Sequence, residues 1–367
     1  MARVAHLTTV HSASDTRIFY RECRSLQRRG HDVYVIAPGP GTSVHPDVHM
    51  LGVPRPLDRR QRVLVTARQV FLQALKLSAD IYHIHDPEFL PWAILLRRRL
   101  RARVVYDSHE YYQQAILGRP WLPAPLRTSL SHVVARLEPA MASWLDAVVT
   151  ADEGQQATFR RRYRAKRVIT VRNLPPREVF DGADVPSAEL PRRLFHIGSI
   201  SEDRGWSQIV ATADTLRAHG VEVIVVGKAP QSGVPENLRL TGYVTLPEVG
   251  RLTKGGGIGL SALRVTPQNL LGVPMKVFEY MAMGLPVLAS DIEPHRDVIQ
   301  EYGVGRLYPP LDDQACAAEV LWLLSHAEAA LEMSRRGRRA YLEGLNFDQE
   351  GAKLADLYEE LLGAQTA

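Results

Sequence analysis

Short apolar runs alternate with longer amphipathic stretches along almost the whole chain. In the first half the runs are Val4–Leu7, Val33–Ala37, Ile81–His85, Val104–Tyr106, Ala147–Thr150 and Val168–Val171. They are rich in β-branched residues and apolar without a break, the pattern of strands covered on both faces. Between them Ile18–Arg29, Arg59–Lys76, Leu126–Trp144 and Glu153–Arg164 carry the spacing of helices with one apolar face. A polar, proline-bearing stretch, Pro175–Arg192, interrupts the alternation, which then restarts with runs at Leu194–Ile197, Val221–Val226, Leu238–Thr241, Ile258–Leu260 and Val287–Ala289. Helical patterns follow at Trp206–His219, Met275–Met283, Pro294–Glu301 and Ala315–Ser325, and the tail Phe347–Leu362 is amphipathic. Strand–helix repetition of this kind predicts two α/β domains, each doubly wound around a parallel sheet and facing a central cleft. The expected limits are 1–178, a linker over 179–192, 193–346, and a C-terminal helix at 347–367 packing back on the first domain. Doubly wound sheets bind ligands at the carboxyl ends of their strands, so the cleft is the expected active site.

The chain has 367 residues, enough for two such cores. Its two cysteines, Cys23 and Cys316, lie one in each half and read as reduced core thiols. No apolar leader and no bilayer-length run is present, so the expected location is the cytoplasm. The net charge of +5 comes from short arginine clusters at 97–99, 160–162 and 335–339, which read as solvated helix faces. No aromatic-interleaved basic stripe appears, which argues against nucleic acid. The segment Trp121–Arg127 mixes aromatic, apolar and basic residues, and with the helix after it is a candidate contact with an acidic inner leaflet.

Several polar segments stand at expected strand ends. The loop His11–Arg17 follows the first run, with Ser14 and Asp15 as helix caps or anion contacts. No Gly-rich dinucleotide or P-loop fingerprint accompanies it. His109, in Val104–Glu110, is placed to bond a substrate hydroxyl or phosphate. His83 and His85 share one strand face ahead of Asp86. That spacing suits a metal, but no third ligand is apparent, and the pair reads as lining a cleft or a core edge. In the second half, Gly198 and Ser199 open a turn in which Arg204 suits a diphosphate. In Asn269–Pro286, Pro274 suits a first helical position and Gly284 a stop. Lys276 and Glu279 share a helix face there: the carboxylate is able to accept both hydroxyls of a ribose, and the lysine to meet phosphate.

These residues carry a resemblance. The opening HLTTVHSASDTRIFYRECRSLQRRGHDVYVIAP, the run VVYDSHE and the run PMKVFEYMAMGLPVLASD resemble the glycosyltransferases of family 4, of GT-B architecture, and their bacterial envelope-polysaccharide branch in particular. The resemblance implies transfer of a sugar from a nucleoside diphosphate sugar, with retention of configuration and with no metal or other cofactor. The implied acceptor is a glycan, a lipid-linked or a small molecule. Glu279 matches the family's ribose-binding glutamate, Arg204 a diphosphate-binding residue and His109 a histidine beside the transferred sugar. Lys276 stands where the branch has lysine, and the Ser12–Thr16 loop lies near donor phosphate. Base recognition is implied at the backbone of Gly242, Tyr243 and Val244. The chain departs from the pattern at Leu271, where many members have a second glutamate, at Ser199, where many have arginine, and at Ala13-Ser14, where a glycine pair is usual. Asn269 or the backbone at Gly272 is the expected replacement contact. Two alternatives remain at this level: a nucleotide-sugar 2-epimerase, and a non-catalytic partner of the same fold.

Overall fold

The computed structural model describes residues 1–42, 45–100, 102–118, 122–163, 167–186, 189–202, 205–272 and 274–363. The chain forms two compact units, Met1–Asn173 with Phe347–Ala367, and Leu174–Asn346. In the first, strands β1 (Arg3–Leu7), β2 (Asp32–Pro38), β3 (Val48–Val53), β4 (Ile81–Ile84), β5 (Arg103–Ser108), β6 (Ala147–Thr150) and β7 (Val168–Thr170) form one parallel sheet, ordered β3-β2-β1-β4-β5-β6-β7. In the second, β8 (Arg193–Ile197), β9 (Glu222–Val226), β10 (Leu238–Gly242), β11 (Ile258–Ser261), β12 (Val287–Ser290) and β13 (Gly305–Tyr308) are ordered β10-β9-β8-β11-β12-β13, again parallel. Each sheet therefore grows outward in both directions from its first strand. The switch points, where loops diverge and leave a crevice, lie between β1 and β4 and between β8 and β11.

β3 and β13 were absent from the strands expected from sequence. Both are edge strands, and their residues alternate or are only half-buried, so neither shows the continuous apolar run of an inner strand. One face of the first sheet carries the helices Ala67–Leu77 and Leu90–Arg99 through Val70, Phe71, Leu90 and Leu96. The other face is covered by Thr16–Arg28 and by the C-terminal helix Phe347–Gly363 through Ile18, Leu26, Leu354 and Leu357. That last helix is fixed by Arg172, whose backbone N and Nε both donate to Glu350 at 2.9 Å, and by Tyr358, whose hydroxyl lies 2.7 Å from His83 Nδ1. Gly351 permits the approach: a Cβ there would fall 2.0 Å from Ser25 Oγ. The arginine clusters are not uniformly solvated. Arg338 is buried and donates to Ala282 O and Asp181 O at 2.6 Å each, capping carbonyls that would otherwise be unpaired.

Candidate functional site

In the first unit the loops after β1, β4 and β5 meet at the switch point around one carboxylate. Asp15 caps the π-helical segment Thr16–Cys23, accepting from the N–H groups of Arg17 and Ile18 at 2.8 and 3.0 Å. This places Arg17, 4% exposed, with its guanidinium fork on Asp107: Nε to Oδ2 is 2.7 Å and Nη2 to Oδ1 2.6 Å. Nη1 continues to Val171 O and Asn173 Oδ1. Asp107 also meets His85 Nδ1 at 3.0 Å and His109 Nδ1 at 3.1 Å. Burial alone would raise the Asp107 carboxyl; Arg17, His109 and His85 outweigh it and hold the group well below the usual carboxylate range. His109 thus gives Nδ1 to Asp107, which fixes the orientation of its ring. Asp86 closes the first loop, accepting from Thr8 Oγ1 at 2.9 Å and Thr9 N at 2.6 Å. His11 lies 3.1 Å from Asp15 Oδ2. Burial would lower this histidine, but Asp15, with Asp86 and Glu110 beyond it, raises it to about 9.

Beneath this layer, His6 on β1, His83 and His85 share one face of the sheet, His6 in register with His83. All three are fully buried, and burial holds His6 and His83 well below the ordinary histidine value. Glu22 enters the same space from the Thr16–Cys23 segment, fully buried. Burial and the charge of Asp107 push its carboxyl up despite Arg17. His83 and His85 are therefore core residues on that face and line no open surface.

In the second unit the loops after β8 and β9 touch backbone to backbone. Gly198 has φ +109° and Gly227 φ +142°, and a Cβ on Gly227 would fall 2.6 Å from the carbonyl carbon of Gly198. Lys276 reaches over this turn: a Cβ on Gly198 would lie 3.3 Å from Lys276 Cε and 3.6 Å from Nζ. Lys276 and Glu279 are both half-buried on the helix Met275–Ala282, which starts one residue after Pro274; the proline is the cap, not the first helical residue. Tyr280 fixes that helix to the sheet. Its buried hydroxyl donates to Leu260 O at 2.7 Å and accepts from Ile197 N at 3.1 Å, and Gly259 leaves room for the ring. His295, beside the ends of β11 and β12, donates from Nδ1 to Ser290 O at 2.8 Å and accepts from Ser261 Oγ at Nε2, 3.0 Å away. Burial, with Lys276 nearby, lowers it to about 4, so it is neutral.

Of the residues singled out in the sequence, His109 and Asp15 belong to the first cluster, with Ser14 half-buried in the loop before it. Gly198, Ser199 and Lys276 meet at the second switch point. Arg204 and Trp121 lie outside the described residues. The Asn269 amide already donates to Arg264 O at 2.8 Å, so its nitrogen serves its own loop. Leu271 is 46% exposed and Gly272 has extended backbone. Tyr243 is exposed and Val244 half-buried, after Gly242 at φ +70°. Arg17, Glu22, His6, Tyr280 and His295 were not singled out. Glu22 had a legible signal: it stands four residues after Ile18 and four before Leu26, on the apolar face of its helical stretch.

Comparison with known proteins agrees with this architecture. Residues 16–174 match the family model described as Glycosyltransferase Family 4, and residues 191–326 that of Glycosyl transferases group 1. The chain is 24% identical to the phosphatidyl-myo-inositol mannosyltransferase of Mycolicibacterium smegmatis, over 92% of this chain and 88% of that protein. Among solved structures it is similar in fold to a sucrose-phosphate synthase from Thermosynechococcus elongatus, with a TM-score of 0.72 at 16% identity over 99% of this chain and 100% of that one. It is also similar to Anabaena Alr3699/HepE, crystallised with UDP-glucose, with a TM-score of 0.69 at 14% identity over 98% and 100%. The two family matches, laid over two doubly wound sheets, identify the chain as a member of glycosyltransferase family 4, an enzyme of glycosyl transfer with the GT-B fold.

Proposed function

We propose that this enzyme is a retaining transferase that moves a sugar from a nucleoside diphosphate sugar to a glycan, lipid-linked or small-molecule acceptor in cell-envelope polysaccharide or glycoconjugate synthesis, with no metal in the transfer step. The observation that carries the reading is the Lys276 ammonium over the Gly198 turn at the carboxyl edge of the second sheet, with Glu279 three residues on along the same helix. An ammonium over a glycine turn that lets a ligand approach the backbone suits a diphosphate, and a carboxylate one turn away suits the ribose hydroxyls. Lys276, joined by Arg204, neutralises charge on the departing diphosphate; losing one such contact costs about 10²–10³ in rate. Gly198, Ser199, Asn269 and Gly272 contribute backbone contacts to the donor, and Tyr243 and Val244 flank its base. In the first unit, His109, oriented by Asp107, holds a hydroxyl of the transferred sugar through Nε2, and the Ser14–Asp15 loop meets donor phosphate. An oxygen of the leaving phosphate takes the acceptor proton, so no side-chain nucleophile is used.

A lipid-linked acceptor calls for membrane contact, and the exposed surface supports it. Arg60, Leu64, Arg68, Leu72 and Lys76 recur every four residues and are all exposed, and Leu57 ahead of them is 92% exposed. The row spans about 24 Å at 1.5 Å per residue and alternates charge with apolar area, as a helix lying on an acidic leaflet does. Leu126, Leu130, Val133 and Leu137 form a second exposed stripe on the helix Ala124–Ala142. No helix among the described residues is long and apolar enough to cross a membrane.

The test is a thermal-shift titration of wild type and Glu279→Ala with UDP, GDP, ADP, TDP and CDP. A nucleotide at 100 times its dissociation constant adds about 2.7 kcal/mol of stability. One base stabilising wild type and not the variant supports the donor site; no response to any base overturns it. Product analysis then separates the alternatives: an epimerase turns over the donor without acceptor, and a non-catalytic partner turns over nothing.

A further inference from the structure

We infer that His6, Glu22, His83 and His85 form a buried binding site for one divalent transition metal, zinc by its donor set, with a structural role. One donor atom from each residue lies within 4.8 Å of the other three, and all four residues are fully buried. His6 Nδ1 stands 3.0 Å from His85 Nε2 and 3.6 Å from Glu22 Oε2, and Glu22 Oε2 stands 3.9 Å from both His85 Nε2 and His83 Nδ1. Tetrahedral zinc with bonds of 2.0–2.1 Å spaces its ligand atoms by about 3.3 Å. Three of these four separations exceed a hydrogen bond and fit two ligands sharing an ion after shifts of a few tenths of an ångström.

The second observation is the carboxylate itself. Among the described residues neither oxygen of Glu22 accepts a hydrogen bond, although Arg17 Nε lies 3.2 Å from Oε1. His6 Nε2 and His83 Nε2 are likewise buried without partners. Glu22 is thus a fully buried carboxylate with Arg17 on one oxygen, while the other faces three imidazoles at 3.6–3.9 Å and is hydrogen-bonded to none of them. The second ring nitrogen of His85 is held by the Asp107 carboxylate at 3.0 Å, the contact that metal-binding histidines use. His83 Nδ1, the nitrogen that faces Glu22, meets the Tyr358 hydroxyl at 2.7 Å, which must turn aside for the ion. Three imidazoles and one carboxylate suit zinc better than magnesium or calcium, which take oxygen ligands. The enclosure leaves no open coordination position for substrate. The ion would instead pin Thr16–Cys23, and with it Arg17, to β1 and β4. His-x-His alone showed half of this set; His6 and Glu22 join it only through the fold.

The full chain, produced in zinc-supplemented medium and passed through chelator, is to be assayed for metal by elemental analysis, and a cobalt-grown sample by visible absorption. One zinc per chain and the intense bands of tetrahedral cobalt(II) are expected. Glu22→Gln abolishes both, and Tyr358→Phe, which frees His83 Nδ1 of its hydroxyl, leaves retention at least as tight as in wild type. Folded wild type without stoichiometric metal from either medium overturns the site, as does metal retained undiminished in Glu22→Gln. Metal content is read without nucleotide, and nucleotide stabilisation is read through Glu279 of the second unit, so failure of this inference is distinguishable from failure of the donor site.

Discussion

Tyr280→Phe removes one oxygen from the point where the Lys276–Glu279 helix is tied to the sheet. The ring keeps its place against Gly259, so packing is conserved and only polar contacts change. The hydroxyl is fully buried, donates to Leu260 O, lies 3.3 Å from Phe195 O and accepts from Ile197 N. Losing the donated bond costs about 0.5–1.5 kcal/mol, and a buried N–H left unpaired costs about 1–3 kcal/mol. The sum centres near about 2–3 kcal/mol, confined to the second unit. Urea unfolding followed by native-state hydrogen exchange reads both parts. The transition of the second unit moves to lower urea, and the Ile197 amide exchanges about 30-fold faster for about 2 kcal/mol of lost protection. Nucleotide affinity falls with it, because the helix that positions Lys276 loses its anchor. A variant within about 0.5 kcal/mol of wild type, with unchanged Ile197 exchange, refutes the claim that this hydroxyl holds the helix.

Stability between pH 6.5 and 9 should report on the first loop. His11 is raised in the folded chain from 6.5 to about 9, so its contribution is complete below pH 6.5 and is lost as pH rises through about 9. The side chain is 20% exposed, which reduces the linkage to about 1–3 kcal/mol; denaturant midpoints at pH 7 and pH 9.5 measure it. In Asp15→Asn most of this loss disappears, and an unchanged slope would show that other groups set it. Reversing Arg60, Arg68 and Lys76 to glutamate should weaken binding to phosphatidylserine vesicles by well over 100-fold, at about 1 kcal/mol per cation, as read by co-sedimentation. Equal partitioning of variant and wild type would place any membrane contact elsewhere.

The inner strands were readable because each lies between neighbours under two helical layers and so must be apolar throughout, as at Val4–Leu7 and Val287–Ala289. Edge strands have no such requirement: β7 and β10 still read as strands, whereas the alternating β3 and the half-buried β13 did not show. The helix Met275–Ala282 was legible because Lys276, Glu279 and Gly284 are local in sequence. The polar centre of the first unit was not, because its members are distant along the chain: His6 and His85 are 79 residues apart, and Arg17 and Asp107 are 90 apart. Periodicity marks only that a polar residue stands on an apolar face, as Glu22 does; what it meets there is decided by strand order.

The helix Phe347–Gly363 belongs to the first unit although it follows the whole of the second unit along the chain. During synthesis, residues 174–346 have all been made before any of this helix is. The second unit therefore has its complete sequence first, while one face of the first unit waits without its last helix, covered by Thr16–Arg28 alone. The unit begun first is finished last. A chain cut short after Asn346 would release a second unit with every strand in place and a first unit lacking Tyr358 and Glu350, so premature termination marks the older half of the molecule for clearance.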